Sequence, residues 1–338
     1  MVGYGEDITR EKQIKSQILY DVGVKLAIVI PIYNEQENLS ALSQSIAQAC
    51  DDIDDLDWQV IYINDGSTDD SLRMIGEQID RDTRFSVVEL SRNFGHAAAV
   101  SAGLAHVKAD AAVIMDGDLQ DPPWVIVQLV AMFRQGAQVV VAHRTSSAET
   151  GIRGLGMRIF HRVFHLISDF PIQPNAGVFC LLGRDAIEQF NRLPERHRYL
   201  PALRSWIGFD QRVIHYDRDS RNAGKPKQTM RRLISMALDG VISFSFKPLR
   251  FMTICGVMTS VLGFALACHF AIKRLMGIET AEIGFTTLVT LILFLGGIQL
   301  IGLGLLGEYL GRIYDEVKQR PLYIVKNRIG VDDPADQS

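Results

Sequence analysis

Short apolar runs alternate with helical patterns between residues 25 and 228: KLAIVIPIY, WQVIYIND, FSVVEL, DAAVIMD, AQVVVAH, then VFCLL and QRVIHYD. Strand-length runs separated by amphipathic stretches predict an α/β domain, a mostly parallel sheet with helices on both faces. Beyond it the pattern changes. Phe251–Ile272 and Ile283–Gly307 contain no Asp, Glu, Lys or Arg, and each exceeds the ~20 residues that cross a hydrocarbon core of about 30 Å. Buried core helices are the competing reading, and two adjacent uncharged stretches of this length disfavour it. Just ahead, in TMRRLISMALDGVISFSFKPLR, Leu233, Ala237, Leu238, Val241 and Ile242 approximate one apolar stripe, interrupted by Arg231, Arg232 and Asp239. That pattern predicts a helix lying in the interface plane rather than a third span.

The expected organisation is a polar extension (1–24), the α/β domain (25–228), a juxtamembrane amphipathic helix (229–250), transmembrane helices at 251–273 and 283–310, and a tail (311–338). Flanking charge sets the direction. Arg231, Arg232, Lys247 and Arg250 precede the first span, and Arg312, Lys318, Arg320, Lys326 and Arg328 follow the second. The loop between them carries only Lys273 and Arg274. The positive-inside bias therefore places both termini in the cytoplasm. The N-terminal MVGYGEDITREKQIKSQ lacks the apolar core of a secretory signal.

Composition narrows the classes further. A formal net charge of -4 excludes a chain built to coat nucleic acid. Cysteines 50, 180, 255 and 268 show no CxxC spacing, which predicts reduced thiols and no disulfide framework. GLGLLG, with Gly302, Gly304 and Gly307, matches a dinucleotide fingerprint, but no strand-then-helix unit surrounds it. Those glycines, and the Gly307/Gly311 pair, are expected to permit close helix packing.

The candidate chemistry stands at strand ends. VIMDGDLQDPP puts Asp116, Asp118 and Gln120 between a buried strand and a helix with proline in its first turn. An open α/β sheet places its ligand groups there. Taken alone, an acidic pair reads equally well as turn and cap chemistry, as do Ser67 and Thr68 in NDGSTDDS. PIYNE and NDGS bring Tyr33, Glu35 and Asp65 toward the same edge. Three acidic loops on one edge suit a hard divalent cation shared with substrate phosphates. No GxxxxGK[ST] phosphate loop is present. Basic residues follow: Arg144, Arg153, Arg158 and Arg162, then Arg218, Arg221, Lys225, Lys227, Arg231 and Arg232. They read either as a solvated face or as contacts to anionic lipid headgroups. His161 and His165 stand four apart, but no acid between them completes a zinc set.

The ordered set PIYNE, NDGS, SRNFG, DGDLQDP, LPERHRYL, SWIGF, SFSFKPLR and GGIQLIGLGLLGEYLGRIY, spanning about residues 25–328, resembles one family. It is similar to the polyisoprenyl-phosphate glycosyltransferases, of the bactoprenol glucosyltransferase kind, and more distantly to dolichol-phosphate mannose synthase. The resemblance implies an inverting A-type glycosyltransferase domain at 25–228, with a nucleotide sugar, UDP-glucose in the first place, as donor. The acceptor it implies is a polyisoprenyl phosphate, undecaprenyl phosphate, on the cytoplasmic leaflet of a bacterial inner membrane. It implies that Pro31, Tyr33, Glu35, Asp65 and Asp116 bind the nucleotide. Asp116, Asp118 and Gln120 would hold Mg²⁺ or Mn²⁺ on the diphosphate, with Asp116, Asp118 and Arg144 in the catalytic set. Arg144, Arg153, Arg221 and Lys227 would face phosphates of donor or lipid, and the assembly would be a homo-oligomer, a tetramer.

One segment departs from the family pattern. Relatives read NxGDFRL where residues 175–181 are NAGVFCL, so Val178 and Cys180 replace an acid and an arginine. GKPKQ also stands where relatives have GxSKY or GxTKF. The metal-binding residues are untouched, and a candidate general base is removed. A phosphate monoester has its second pKa near ~6, so a lipid phosphate reaches the anomeric carbon already ionised. Two further readings compete with the transferase. One is a catalytically weak homologue serving as a lipid- or nucleotide-binding scaffold, motivated by Val178 and Cys180. The other, a processive polysaccharide synthase, lacks its QxxRW-type motif, for which SWIGF is no substitute.

Overall fold

The computed structural model describes residues 23–144, 176–196, 198–216, 247–276 and 284–332. They divide into an α/β unit, which includes the segment from Arg320 onward, and a unit holding two long apolar helices.

The α/β unit is built on β1 (Val24–Ile32), α1 (Leu39–Asp51), β2 (Leu56–Asn64), α2 (Ser71–Arg81), β3 (Phe85–Leu90), α3 (His96–Ala105) and β4 (Ala111–Ile114). It continues with α4 (Val125–Arg134), β5 (Val139–Arg144), β6 (Ala176–Gly183), α5 (Arg184–Arg192), α6 (Leu200–Trp206) and β7 (Gln211–Tyr216). A last strand, β8 (Val325–Ile329), follows the apolar helices α7 (Lys247–Leu275) and α8 (Phe285–Val317). The sheet order is β7-β5-β6-β4-β1-β2-β3-β8. Strands β4, β1, β2 and β3 run parallel, as do β5 and β7, while β6 is antiparallel to both its neighbours and β8 to β3. The mostly parallel sheet expected from the sequence is thus present.

Burial explains why the strands read so clearly. β1 is central and covered on both faces, so all of VKLAIVIPI is buried except Lys25 and the half-buried Pro31. In α1, Leu39, Leu42, Ile46 and Ala49 recur at helical spacing and turn toward the sheet. The largest core cluster joins Ile28, Ile30 and Ile32 to Tyr62, Phe85 and Val113. Within it the Tyr62 and Phe85 rings stack with centroids 6.0 Å apart. The Tyr62 hydroxyl and Ser43 Oγ meet at 2.9 Å, so this buried phenol has a partner.

The segment after the second apolar helix does more than trail away. β8 pairs antiparallel with β3. Lys326 Nζ donates to Glu89 Oε1 at 2.7 Å, and Arg328 Nε donates to His106 Nε2 at 3.1 Å. His106 Nδ1 in turn donates to Ala102 O at 2.7 Å, which fixes the tautomer that lets Nε2 accept.

The second unit carries the candidate spans. The most apolar stretches, Leu249–Leu266 in α7 and Phe294–Val317 in α8, have none of their residues buried. A core helix of a soluble domain would be covered, whereas here Phe251, Met258, Phe264, Leu300 and Leu303 are all exposed. Thr253 and Thr259 return their hydroxyls to the carbonyls of Leu249 and Cys255, which satisfies them without water. Gly302 faces Met252 of α7, as close packing requires. Among the described residues nothing lies within 4 Å of a Cβ built on Gly304, Gly307 or Gly311. Of the anticipated interfacial helix at 229–250, residues 229–246 lie outside the described residues, and from Lys247 the chain is already in α7.

Candidate active site

The chain leaves β1 toward β2 on one side and comes back to β4 on the other, so the carboxyl ends of β1 and β4 form a switch point, where open sheets open a crevice. Register puts Ile32 beside Asn64 and Val29 beside Ile114, so the loops following β1, β2 and β4 emerge at one edge. The first two are stitched together. Asn34, in a left-handed conformation with φ 56°, accepts the Thr68 N–H on Oδ1 at 2.8 Å and donates its own N–H to Ser67 Oγ at 3.1 Å. The Glu35 N–H donates to Ser71 Oγ at 3.1 Å, and Gln36 Oε1 accepts the Asp70 N–H at 3.0 Å. Ser67, Thr68, Asp70 and Ser71 of NDGSTDDS therefore hold the Glu35 loop in place.

Glu35 accepts from Asn38 Nδ2 at 2.6 Å. Burial raises its pKa above the ordinary value; the Asn38 bond opposes this, and the negative charges of Asp118, Asp69 and Asp116 add to the rise. That repulsion is the electrostatic signature of the convergence expected for Glu35, Asp116 and Asp118. Tyr33 stands at the same loop, 47% exposed.

Asp65 is placed differently from a free ligand. It is 3% exposed, and its two carboxylate oxygens accept the backbone N–H groups of Phe94 and Gly95 at 2.7 and 2.9 Å. Burial raises its pKa, and those two bonds hold it back. Gly66, next in the chain, has φ 69°, and a Cβ there would meet the backbone of Arg92 and Asn93 at 2.6 Å. Asp65 and Gly66 thus clamp the SRNFG loop against β2. That loop delivers His96, the first residue of α3, whose Nε2–H donates to Asp116 Oδ1 at 2.8 Å.

In the loop after β4, Asp118 Oδ1 accepts the Gln120 N–H at 3.0 Å. Gly117 lies tight on β1, since a Cβ would fall 2.6 Å from Ile32 Cδ1. Asp121, 2% exposed, accepts the Tyr216 hydroxyl at 2.7 Å, which anchors the far end of the loop to β7. Arg144 closes β5 as the register partner of Tyr216. Arg153, Arg221 and Lys227 lie outside the described residues. Cys180 is 2% exposed, paired in register with Ile114 and Val141. β6 runs antiparallel to β4, so Val178 and Gly177, just before Cys180, stand toward the end of β4 from which the Asp116 loop emerges.

Among the described residues no three carboxylate, imidazole or thiol groups form a ready metal cage. The donor chemistry nonetheless fits a small hard cation, which commonly takes one or two carboxylates and completes its shell with substrate phosphates and water. The mutual repulsion felt at Glu35 shows why a cation would be welcome there.

Three contributors escaped sequence reasoning: Asn34, His96 and the Asp121–Tyr216 pair. Only His96 carried a local signal, a polar residue directly after SRNFG at the start of an apolar helix.

Comparison with known proteins agrees with this architecture. The model of glycosyl transferase family 2 matches residues 27–190, and that of the GtrB C-terminal hairpin matches 247–313. An uncharacterised glycosyltransferase of Synechocystis is 38% identical over 311 residues, covering 91% of this chain and 97% of the relative. A prophage-derived bactoprenol glucosyl transferase of Shigella flexneri is 36% identical over 304 residues, covering 90% and 98%. A prophage bactoprenol glucosyl transferase homologue of Escherichia coli K12 is 34% identical, covering 90% and 99%. With a mostly parallel sheet whose acidic loops emerge at its switch point, and a pair of long apolar helices in the same chain, the chain belongs to glycosyltransferase family 2, as a glycosyltransferase with a GtrB-type C-terminal hairpin.

Proposed function

We propose that the enzyme transfers a hexose, glucose in the first place, from UDP-glucose to a polyisoprenyl phosphate such as undecaprenyl phosphate, with inversion at the anomeric carbon. The observation that carries this reading is the meeting of Glu35, Asp116 and Asp118 at the switch-point edge, in a chain that also holds two exposed apolar helices. The names of relatives that align over nearly the whole chain supply the acceptor class.

The acceptor oxygen needs no protein base, because a phosphate monoester with a second pKa near ~6 is largely ionised at neutral pH. Its oxygen forms the new bond to the anomeric carbon as the bond to the nucleoside diphosphate breaks, and the electron pair leaves with the diphosphate. The demands on the protein are positioning and stabilisation of that charge. Asp116, Asp118 and Gln120 would hold Mg²⁺ or Mn²⁺, which when bound neutralises the departing diphosphate. His96 orients the Asp116 carboxylate through the 2.8 Å contact, and Asp65 keeps the His96 loop in register. Tyr33 and Glu35 would face the nucleotide, and Arg144, Arg153, Arg221 and Lys227 the phosphates.

The reading extends to a bacterial inner membrane, and the sheet and the charges together support it. The chain before α7 and the chain after α8 both contribute strands to one sheet, which supports an even number of crossings. The basic flanks support a cytoplasmic side for that sheet, with both termini in the cytoplasm. Incubating the purified enzyme with undecaprenyl phosphate and a panel of labelled nucleotide sugars tests the proposal. One labelled lipid product is expected, and failure of every donor to label lipid would overturn it in favour of a scaffold.

A further inference from the structure

Arg204 lies on α6 and is 3% exposed. Its Nη1 donates to the carbonyl of Gly177 at 3.2 Å, and its Nε is buried with no hydrogen-bond partner. No carboxylate among the described residues forms an ion pair with it. The arrangement is costly, because a guanidinium cannot shed its proton and a buried charge needs a counter-charge. Removing Arg204 from the sequence logic of the core would cost nothing in shape, since an unbranched apolar side chain fills similar volume.

Its position says what the counter-charge is. Gly177 lies near the start of β6, which runs antiparallel to β4, so it stands toward the carboxyl end of β4 from which the Asp116–Asp118 loop emerges. The guanidinium is tied to that end of β6 through the Gly177 carbonyl. We propose that Arg204 is an anion-binding residue of the transfer site, whose missing partner is a phosphate oxygen of the donor diphosphate or of the lipid acceptor. A guanidinium fork matches phosphate geometry and is the usual choice where planar recognition of phosphate matters. Arg204 would thus supply, from a separate helix, positive charge that Cys180 does not. This inference rests on the glycosyl-transfer reading.

The test uses the full chain in detergent, with Arg204→Met and Arg204→Lys. Three quantities are measured: the unfolding midpoint without ligand, the Kd for UDP, and the KM for undecaprenyl phosphate at saturating donor. Arg204→Met is expected to keep or raise the midpoint, because it removes an uncompensated buried charge. It should weaken one phosphate ligand by about 10- to 100-fold, the usual value of a charge-assisted hydrogen bond. A raised Kd for UDP assigns the donor diphosphate, whereas a raised KM for the lipid alone assigns the acceptor. Arg204→Lys, which keeps the charge and loses the fork, should show a smaller loss of the same constant and carries the test if Arg204→Met does not fold. A lowered midpoint with both constants unchanged would overturn the proposal, leaving Arg204 as a brace for the Gly177 carbonyl. Wild-type constants in Arg204→Lys together with a misfolded Arg204→Met would do the same. Failure of the glycosyl-transfer reading looks different, since the unmodified enzyme would then label no lipid, and the UDP arm would still decide the role of Arg204.

Discussion

Asp65→Asn separates a nucleotide ligand from a structural clamp. The carboxylate is 3% exposed, and each of its oxygens accepts one backbone N–H, from Phe94 at 2.7 Å and Gly95 at 2.9 Å. Asparagine keeps one acceptor and turns an amide donor toward the other N–H. A hydrogen bond to a charged group is worth about 1.5–3 kcal/mol, and a buried donor left unpaired costs about 1–3 kcal/mol. Against this, burial raises the Asp65 pKa, so the neutral amide escapes a desolvation cost that the carboxylate bears. The net loss is therefore set at about 2–3 kcal/mol, below the sum of the separate penalties. Amide hydrogen exchange at Phe94 and Gly95 should accelerate by about 30- to 150-fold, and the unfolding midpoint should fall by about 5–10 °C. Because the same loop carries His96 to Asp116, transfer should drop as well, and KM for the donor should move less than kcat. Unchanged exchange and midpoint, with a clear loss of UDP affinity, would refute the clamp and make Asp65 a direct nucleotide contact.

Four further outcomes follow from the same geometry. Asp118→Asn should leave the protein folded and reduce transfer by at least about 100-fold, since it removes charge from a loop rather than packing from the core; near wild-type transfer at saturating Mg²⁺ or Mn²⁺ would exclude Asp118 as a metal ligand. Tyr216→Phe removes the 2.7 Å donor to buried Asp121 and should cost about 1–3 kcal/mol, read as a lower unfolding midpoint, with an unchanged midpoint refuting the anchor. Val178→Asp adds a carboxylate at the start of β6, toward the end of β4 that leads into the Asp116 loop, and should lower transfer, whereas a gain of about 10²–10⁴-fold would reveal a missing general base. The pKa of Glu35 is raised in the folded state, so the folded chain holds that proton more tightly and stability falls as pH rises from 4.5 through the raised value. Midpoints measured across that window should show a slope that Glu35→Gln reduces and that added Mg²⁺ flattens, and an identical slope in Glu35→Gln would discount the group.

The elements whose residues carry their own burial pattern were legible in the sequence. The strands from KLAIVIPIY to AQVVVAH are present because each is an apolar run covered by neighbours, QRVIHYD forms the half-buried edge strand, and the two uncharged stretches form long helices with exposed apolar faces. The acidic loops could be placed at strand ends for the same reason, since a strand that ends in DGD or YNE fixes where those side chains emerge. What the sequence left open depends on partners far along the chain. β8 reads as VKNRI, half-exposed and without a strong apolar pattern, and it becomes a strand only because the edge of β3 offers unpaired backbone groups. The antiparallel insertion of β6 between β4 and β5 brings the start of β6, with Val178, to the end of β4 that leads into the Asp116 loop, a neighbourhood that sequence separation conceals. The sequence also left unseen that each oxygen of Asp65 accepts one N–H of the Phe94–Gly95 turn, a contact between distant loops. His96 and Arg204 gained their meaning only when helices α3 and α6 carried them to the Asp116 carboxylate and the Gly177 carbonyl. Periodicity reports which face is buried, but the counter-charge and the hydrogen-bond partner of a polar group are set by contacts between distant segments, and those exist only in the folded chain.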